Sequence, residues 1–400
     1  MTVVFISYDG ITDNLGQSQV LSYLLKLSEH HRIIILSTEK IINLRKRKSL
    51  IENQILNKNI IWTYINYENK IPIVSARKNR NRLLKKLLKI SSEYKIDLIH
   101  CRSLLPATIC LKVKKDKEIP FIFDMRGFWA DERVDGKVWN KKNLFYNLIY
   151  KYFKRIEKKA LIESSHIVSL TENGKTEILD WELPLNSNKI SVIPCCTDLE
   201  LFNIKSNWKK DNLKQELNLN KNYKYLIYVG SVGTWYMLEE MLDFYKVLKE
   251  KDNTYKFLFL TAEPKNMIIN KAIERGVNEE DLIITLSERI DVPKYIYCSD
   301  LSVFFILPAY SKKASCPTKM GEIMAMGTPL ICNSNVGDVD EICKNYKAGS
   351  IVRDFNKESY QNAIDSLNSN FNRQNSINGA KEYFSLENGA KKYLEIYNSH

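Results

Sequence analysis

Short unbroken apolar runs alternate with amphipathic stretches of helical spacing, and the alternation happens twice along 400 residues. Apolar runs lie at 3–8, 32–37, 61–65, 97–101, 121–124 and 166–170, with helical patterns at about 17–30, 77–94, 103–115 and 140–163. The alternation resumes with runs at 225–229, 256–261, 282–286, 301–307 and 329–332. Helical patterns follow near 236–250, 264–275, 292–298, 317–326, 338–346 and 356–369, and a last one covers 376–398. A strand that is apolar throughout has both faces covered. With helices between such strands, the sheet is parallel and layered on both sides.

Length and rhythm together predict an α/β chain of two doubly wound domains, residues 1–200 and 201–375. A helical tail at 376–400 is free to pack back on the first domain. The polar segment 203–222 reads as the linker. Ligands of such sheets bind beyond the carboxyl ends of the strands, so two facing domains would share a cleft.

The charge balance narrows the partners. Sixty Lys and Arg against 47 Asp and Glu give a net charge of +13. That favours an anionic partner such as a phosphorylated small molecule or an anionic membrane surface. The cations are spread widely and no helix-turn-helix or basic–aromatic module is evident, so no nucleic-acid partner is expected. The eight cysteines form no C-x-x-C pair and no zinc-finger spacing, so they read as buried thiols of a cytoplasmic protein. The start, MTVVFISYDG, reads as a first strand rather than a signal peptide. No run approaches the length of a membrane span. No G-x-G-x-x-G follows the first strand, and no P-loop or G-x-S-x-G elbow occurs.

The stretch SCPTKMGEIMAMGTPLICNSNVGD (315–338) carries the strongest local signal. Pro317 suits a helix start and Gly327 its stop. Met320, Ile323 and Met324 form an apolar stripe, and Glu322 lies off it with Thr318 and Lys319 one turn earlier. Side chains lean toward a helix amino end, so Glu322 can reach back to a loop where free N–H groups favour an anion. The competing account is a solvent-exposed Lys–Glu pair, worth a few tenths of a kcal/mol. Asp338 and Asp340 sit as D-V-D, where Asp338 suits a helix N-cap better than a metal ligand; no metal is expected.

This block, 317–342, resembles the signature of glycosyltransferase family 4, a large group of retaining enzymes with the two-domain GT-B fold. YVGSVGTWYM (228–237) is similar to the family's Val-Gly strand end, and SVIPCCTDLELF (191–202) to its inter-domain segment. SYDGITDNLGQSQV (7–20) resembles its first glycine loop, and FDMRGFWADERVDG (123–136) a segment of bacterial surface-polysaccharide members. The resemblance implies a glycosyltransferase that moves a sugar from a nucleotide-diphosphate donor of UDP or GDP type to a glycan or lipid-linked acceptor, with no further cofactor. Donor binding would fall to Gly16, Gly230, Ser231, Gly233, Ser315, Thr318, Lys319 and Glu322. Arg126, Lys319, Glu322, Asp124 and Asp131 are the catalytic candidates, with Gln17, Trp129, Glu132 and Arg133 on the acceptor side.

Three positions depart from the family pattern. Ala314 stands where the first glutamate of a Glu-x7-Glu motif belongs, and Ser231 and Tyr236 replace the usual arginine and lysine after the Val-Gly. These departures support an alternative, a sugar- or nucleotide-binding protein without catalysis. Two basic amphipathic stretches, 76–94 and 143–161, fit either core-facing helices with solvated lysines or helices lying on an anionic bilayer. On the second reading the protein is peripheral to the inner face of the cytoplasmic membrane.

Overall fold

A computed structural model describes residues 1–69 and 72–400. The chain divides into two compact units, residues 1–194 with 386–400, and residues 195–385.

The first unit holds seven strands: β1 (Thr2–Ser7), β2 (Arg32–Glu39), β3 (Ile60–Asn66), β4 (Leu98–Arg102), β5 (Phe121–Asp124), β6 (His166–Ser169) and β7 (Ile190–Val192). Their order is β3-β2-β1-β4-β5-β6-β7, every neighbour parallel. The second unit holds β8 (Lys224–Val229), β9 (Tyr255–Leu260), β10 (Leu282–Thr285), β11 (Leu301–Phe304), β12 (Leu330–Asn333) and β13 (Gly349–Val352). Their order, β10-β9-β8-β11-β12-β13, repeats the first winding, again all parallel. The central strands are buried on both faces, as their unbroken apolar runs require.

Each sheet therefore changes winding direction once, between β1 and β4 and between β8 and β11. Loops that leave adjacent strands on opposite sides of the sheet open a crevice at that point. Both resembling glycine loops, after β1 and after β8, stand at these switch points.

The segment 203–222 is not a linker. It contains the helix Lys210–Glu216, whose Leu213 joins the second core. Lys214 is buried, with its Nζ 5.1 Å from the Tyr225 ring centre, and donates to the Tyr223 carbonyl at 2.9 Å. The long side chain hides an apolar contact behind a charged letter. The polar helix Ile41–Ile55 buries only Leu44 and Ile51, too few for a visible stripe. The expected tail is two helices. Arg373–Tyr383 stays with the second unit, and Leu386–Asn398 belongs to the first.

Candidate active site

The second switch point is built from the ends of β8 and β11. β8 runs into Gly230, at φ +125°, and the loop to the helix Leu238–Lys251 passes Gly233 at φ +134°. Those angles favour residues without a Cβ. An added Cβ at Gly233 would meet nothing within 4 Å, whereas one at Gly230 would stand 3.1 Å from the Lys319 Nζ. After β11 the chain turns through Tyr310–Ala314 and enters the helix Thr318–Ala325. Pro317 precedes that helix and gives it no side-chain cap. Thr318 and Ser315 are half-buried at this end.

Lys319 is buried, its Nζ 3.0 Å from the Tyr228 hydroxyl and centred over two rings, 4.2 Å from Tyr228 and 3.8 Å from Tyr236. Tyr228 in turn donates to the Ser231 carbonyl. Among the described residues no carboxylate lies within ion-pair distance of Lys319. Burial brings its ammonium down to about 7, with the Glu322 charge pulling the other way. Aromatic faces supply part of the missing counter-charge. A second cation, Lys312, is buried with its Nζ 3.7 Å from the Trp235 ring centre.

Glu322 is buried, not exposed, and accepts from Arg289 Nη2 at 2.6 Å. Arg289 lies on the loop after β10, over the ring of Phe202 at 4.8 Å. Three carboxyl-end loops thus bring Gly230, Lys319, Glu322 and Arg289 into one unit. Arg289 was not marked by the sequence, because a lone arginine in LSERIDVP belongs to no pattern. The aspartates of D-V-D are both engaged. Asp338 stands at the N-cap position but accepts from the Tyr383 hydroxyl at 2.8 Å, and Asp340 from the Asn335 N–H at 3.0 Å.

In the first unit the glycine loop is closed on itself. A Cβ on Gly16 would fall 2.1 Å from the Gly10 carbonyl oxygen, so the first helical turn, Asn14–Gly16, can pass there only on glycine. Glu39, ending β2 and fully buried, accepts from the Ile11 N–H at 2.8 Å, the Thr12 N–H at 3.2 Å and the hydroxyls of Thr12 and Ser37. Gln17 donates to the Thr12 carbonyl at 3.4 Å and begins a π-helical turn, Gln17–Leu21.

Asp124 ends β5, buried, with Oδ2 3.1 Å from the Tyr393 hydroxyl and 3.5 Å from His100 Nε2. His100 Nδ1 meets the Tyr397 hydroxyl at 2.7 Å. Arg126 holds the left-handed φ of +58° and places Nη1 3.9 Å from Asp124 Oδ1. Burial alone would raise the Asp124 carboxyl, but Arg126, His100 and Arg102 hold it below its ordinary value. Asp131 has both oxygens engaged, with the Tyr150 hydroxyl at 2.7 Å and Lys154 at 2.8 Å. Lys154 also pairs with buried Glu157, whose carboxyl burial raises to about 7 against the pull of that lysine. These bonds pin the helix Leu144–Glu163 to the helix Trp129–Asp135. Trp129 packs against Trp139 and Phe153, and Arg133 lies 4.8 Å over the Trp129 ring. Glu132 and Arg133 are half-buried on that short helix.

Comparison with known proteins adds the family. The model of glycosyl transferases group 1 matches residues 209–382, and that of glycosyltransferase family 4 matches residues 29–201. A search of curated proteins finds no significant match. Among solved structures, sucrose-phosphate synthase from Thermosynechococcus elongatus superposes with a TM-score of 0.76 at 13% identity, over 100% of this chain and 98% of that one. Anabaena HepE, solved with UDP and glucose, gives 0.74 at 13% identity over the whole of both chains. A glycosyltransferase from Rickettsia africae gives 0.69 at 17% identity, over 100% of this chain and 98% of that one. At such identities the structures speak for the fold; the two family models, one on each unit, speak for the lineage. The chain belongs to the GT-B glycosyltransferases.

Proposed function

We propose that the second unit binds the donor, a nucleotide-diphosphate sugar of the UDP class, at the switch point between β8 and β11. The observation that carries this reading is Lys319, a buried cation with an aromatic cage and, among the described residues, no carboxylate within pairing distance, beside a helix start without a side-chain cap. A diphosphate supplies the missing anion there, held also by the backbone N–H at Gly233. Glu322, held by Arg289, accepts from ribose hydroxyls. Ser231, Ser315 and Thr318 line the same entry. The choice of UDP draws on HepE, solved with UDP-glucose, and on the Escherichia coli trehalose-6-phosphate protein, solved with UDP-2-fluoro glucose.

When the bond to the sugar breaks, negative charge collects on the leaving diphosphate. A preorganised cation stabilises that charge more than it stabilises the ground state, which is how Lys319 accelerates transfer. The acceptor, a glycan or lipid-linked glycan, is bound by the first unit, at Arg126, Trp129, Glu132 and Arg133. Asp124 orients Arg126 rather than abstracting a proton, since its neighbours hold its carboxyl below the ordinary value and so make it a weak base. Retention of anomeric configuration and activity without metal complete the reading.

A thermal-shift screen of the full chain over UDP, GDP, ADP and their sugars tests it. A ligand at 100 times its Kd adds about 2.7 kcal/mol. Stabilisation by uridine diphosphates alone supports the donor, and stabilisation by none of them overturns the site. The anomer of the product, followed by NMR, decides retention. Full turnover in EDTA is the expected outcome for the metal.

A further inference from the structure

In a parallel sheet each crossover helix begins at the carboxyl edge of the strand before it. Large apolar side chains stand exposed at that edge of the first unit on three separate crossovers. Leu15 follows β1; Ile41 and Ile42 open the helix after β2; Leu144, Phe145 and Leu148 open the helix that leads into β6. Exposure is 62% at Leu15, 63% at Ile42 and 74% at Leu144, too high for members of any core of this chain.

The two basic amphipathic stretches part company here. The helix Pro72–Glu93 turns Leu83, Leu87 and Ile90 into the first core, so its lysines are a solvated outer face. The helix Leu144–Glu163 faces inward with Ala160, Leu161 and the Asp131–Lys154–Glu157 pairs, and leaves Leu144 and Leu148 outside. Successive exposed positions 144, 148, 152, 155 and 159 follow helical spacing and lie along one face. That face is apolar in its first two turns and cationic beyond them, at Lys151, Arg155 and Lys159. Between 137 and 162 there are eight Lys and Arg and one acid, Glu157, which is buried. Lys141 and Lys142 precede the leucines, and Lys40, Arg45 and Lys46 flank the two isoleucines; all are exposed.

We infer that this carboxyl edge of the first unit docks on an anionic phospholipid bilayer, with Ile41, Ile42, Leu144, Phe145 and Leu148 entering the interface and the lysines meeting lipid phosphates. Apolar side chains set in small groups among cations, at the helix starts of different crossovers, suit a fluid surface that adapts to them. A protein partner is disfavoured because protein interfaces are depleted in lysine. The functional meaning of the surface, though not the surface itself, rests on the acceptor reading above: the edge that receives the acceptor would meet a lipid-linked glycan where its lipid is anchored.

The full chain is mixed with phosphatidylcholine vesicles, with and without phosphatidylglycerol, and bound protein is floated. Binding is expected on the anionic vesicles only, weakening as salt rises. The triple change Leu144→Ser, Phe145→Ser and Leu148→Ser should weaken it about tenfold or more, and the double change Ile41→Ser and Ile42→Ser somewhat less. Both variants should keep the wild-type thermal response to UDP, which shows that they fold. Absence of vesicle binding, or variants that bind like wild type, overturns the inference. So does a salt-stable dimer in sedimentation velocity that the triple variant dissociates without any vesicle binding. A wild-type protein that binds vesicles but ignores UDP leaves this surface standing and strikes the donor assignment instead.

Discussion

The two sheets share one winding, yet the loops at their switch points are built for opposite ends. After β1 the loop folds down on Glu39, and one buried carboxylate consumes the backbone N–H groups that a ligand would need. After β8 the loop stands open, with two glycines at positive φ and a buried cation behind them. The first arrangement satisfies its own polar groups and so stabilises the fold. The second leaves a cation poorly compensated, which costs stability; on the proposed donor reading that cost is recovered when the diphosphate binds. Identical topology provides two crevices, and on the proposed reading local chemistry decides which one binds the donor.

The largest expected effect breaks the contrast at its centre. Lys319→Ala should lower transfer by about 100-fold, as loss of one preorganised charge does. Lys319→Met should also raise thermal stability, by roughly 1–3 kcal/mol, because it removes a buried charge. Near-normal turnover in either variant would defeat the role given to Lys319. Glu39→Gln probes the other loop. Its amide nitrogen cannot accept, so about 2–3 kcal/mol of stability should go, seen in urea unfolding. UDP affinity should stay within about twofold, and a larger loss would mean that the first loop also touches the donor.

The contrast is sharpened by pH. The folded Lys319 releases its proton near 7, while the unfolded lysine keeps it to about 10.5. Unfolding therefore takes up a proton between those values, and stability rises with pH across that window. A diphosphate prefers the charged lysine, so UDP affinity should fall above pH 7, by at most about tenfold per unit. Calorimetry in Lys319→Met should show this slope flattened. Arg289→Met should raise the donor KM by roughly tenfold or less, since its guanidinium is 47% exposed and solvent screens the pair. A change in kcat without one in KM would place Arg289 elsewhere in the reaction.

The smallest effect lies under the last helix. Tyr393→Phe removes one bond to Asp124 and should cost about 1 kcal/mol in urea unfolding at neutral pH. Asp124 has a folded value below its ordinary 3.8, so its stabilisation is present above that value and lost as pH falls through the lower one. In Tyr393→Phe the acid limb should move to higher pH. An unmoved limb would show that the hydroxyl contributes nothing to holding the carboxylate.

Most of the strand set was legible because a buried parallel strand announces itself as an apolar run. The helix Ile41–Ile55, with two buried side chains, and the three-residue β7 were too weakly patterned to see. Lys214 looked like linker because a letter cannot show where its methylenes lie. The block 315–338 was legible for a different reason: its helix start, off-stripe glutamate and glycine stop are local, and local geometry follows from spacing.

By itself the sequence determined the alternation, hence two parallel sheets, and the segment that carries Lys319 and Glu322. Only tertiary structure decided that Lys319 lies between two tyrosine rings, one from β8 and one from the loop after it, that Glu322 answers to Arg289, and that Glu39 closes the first loop. Periodicity is a property of neighbours in the chain. A carboxylate's partner is set by which loops the sheet order brings to the same edge, and residues 33 and 28 positions apart leave no trace of that in composition or spacing.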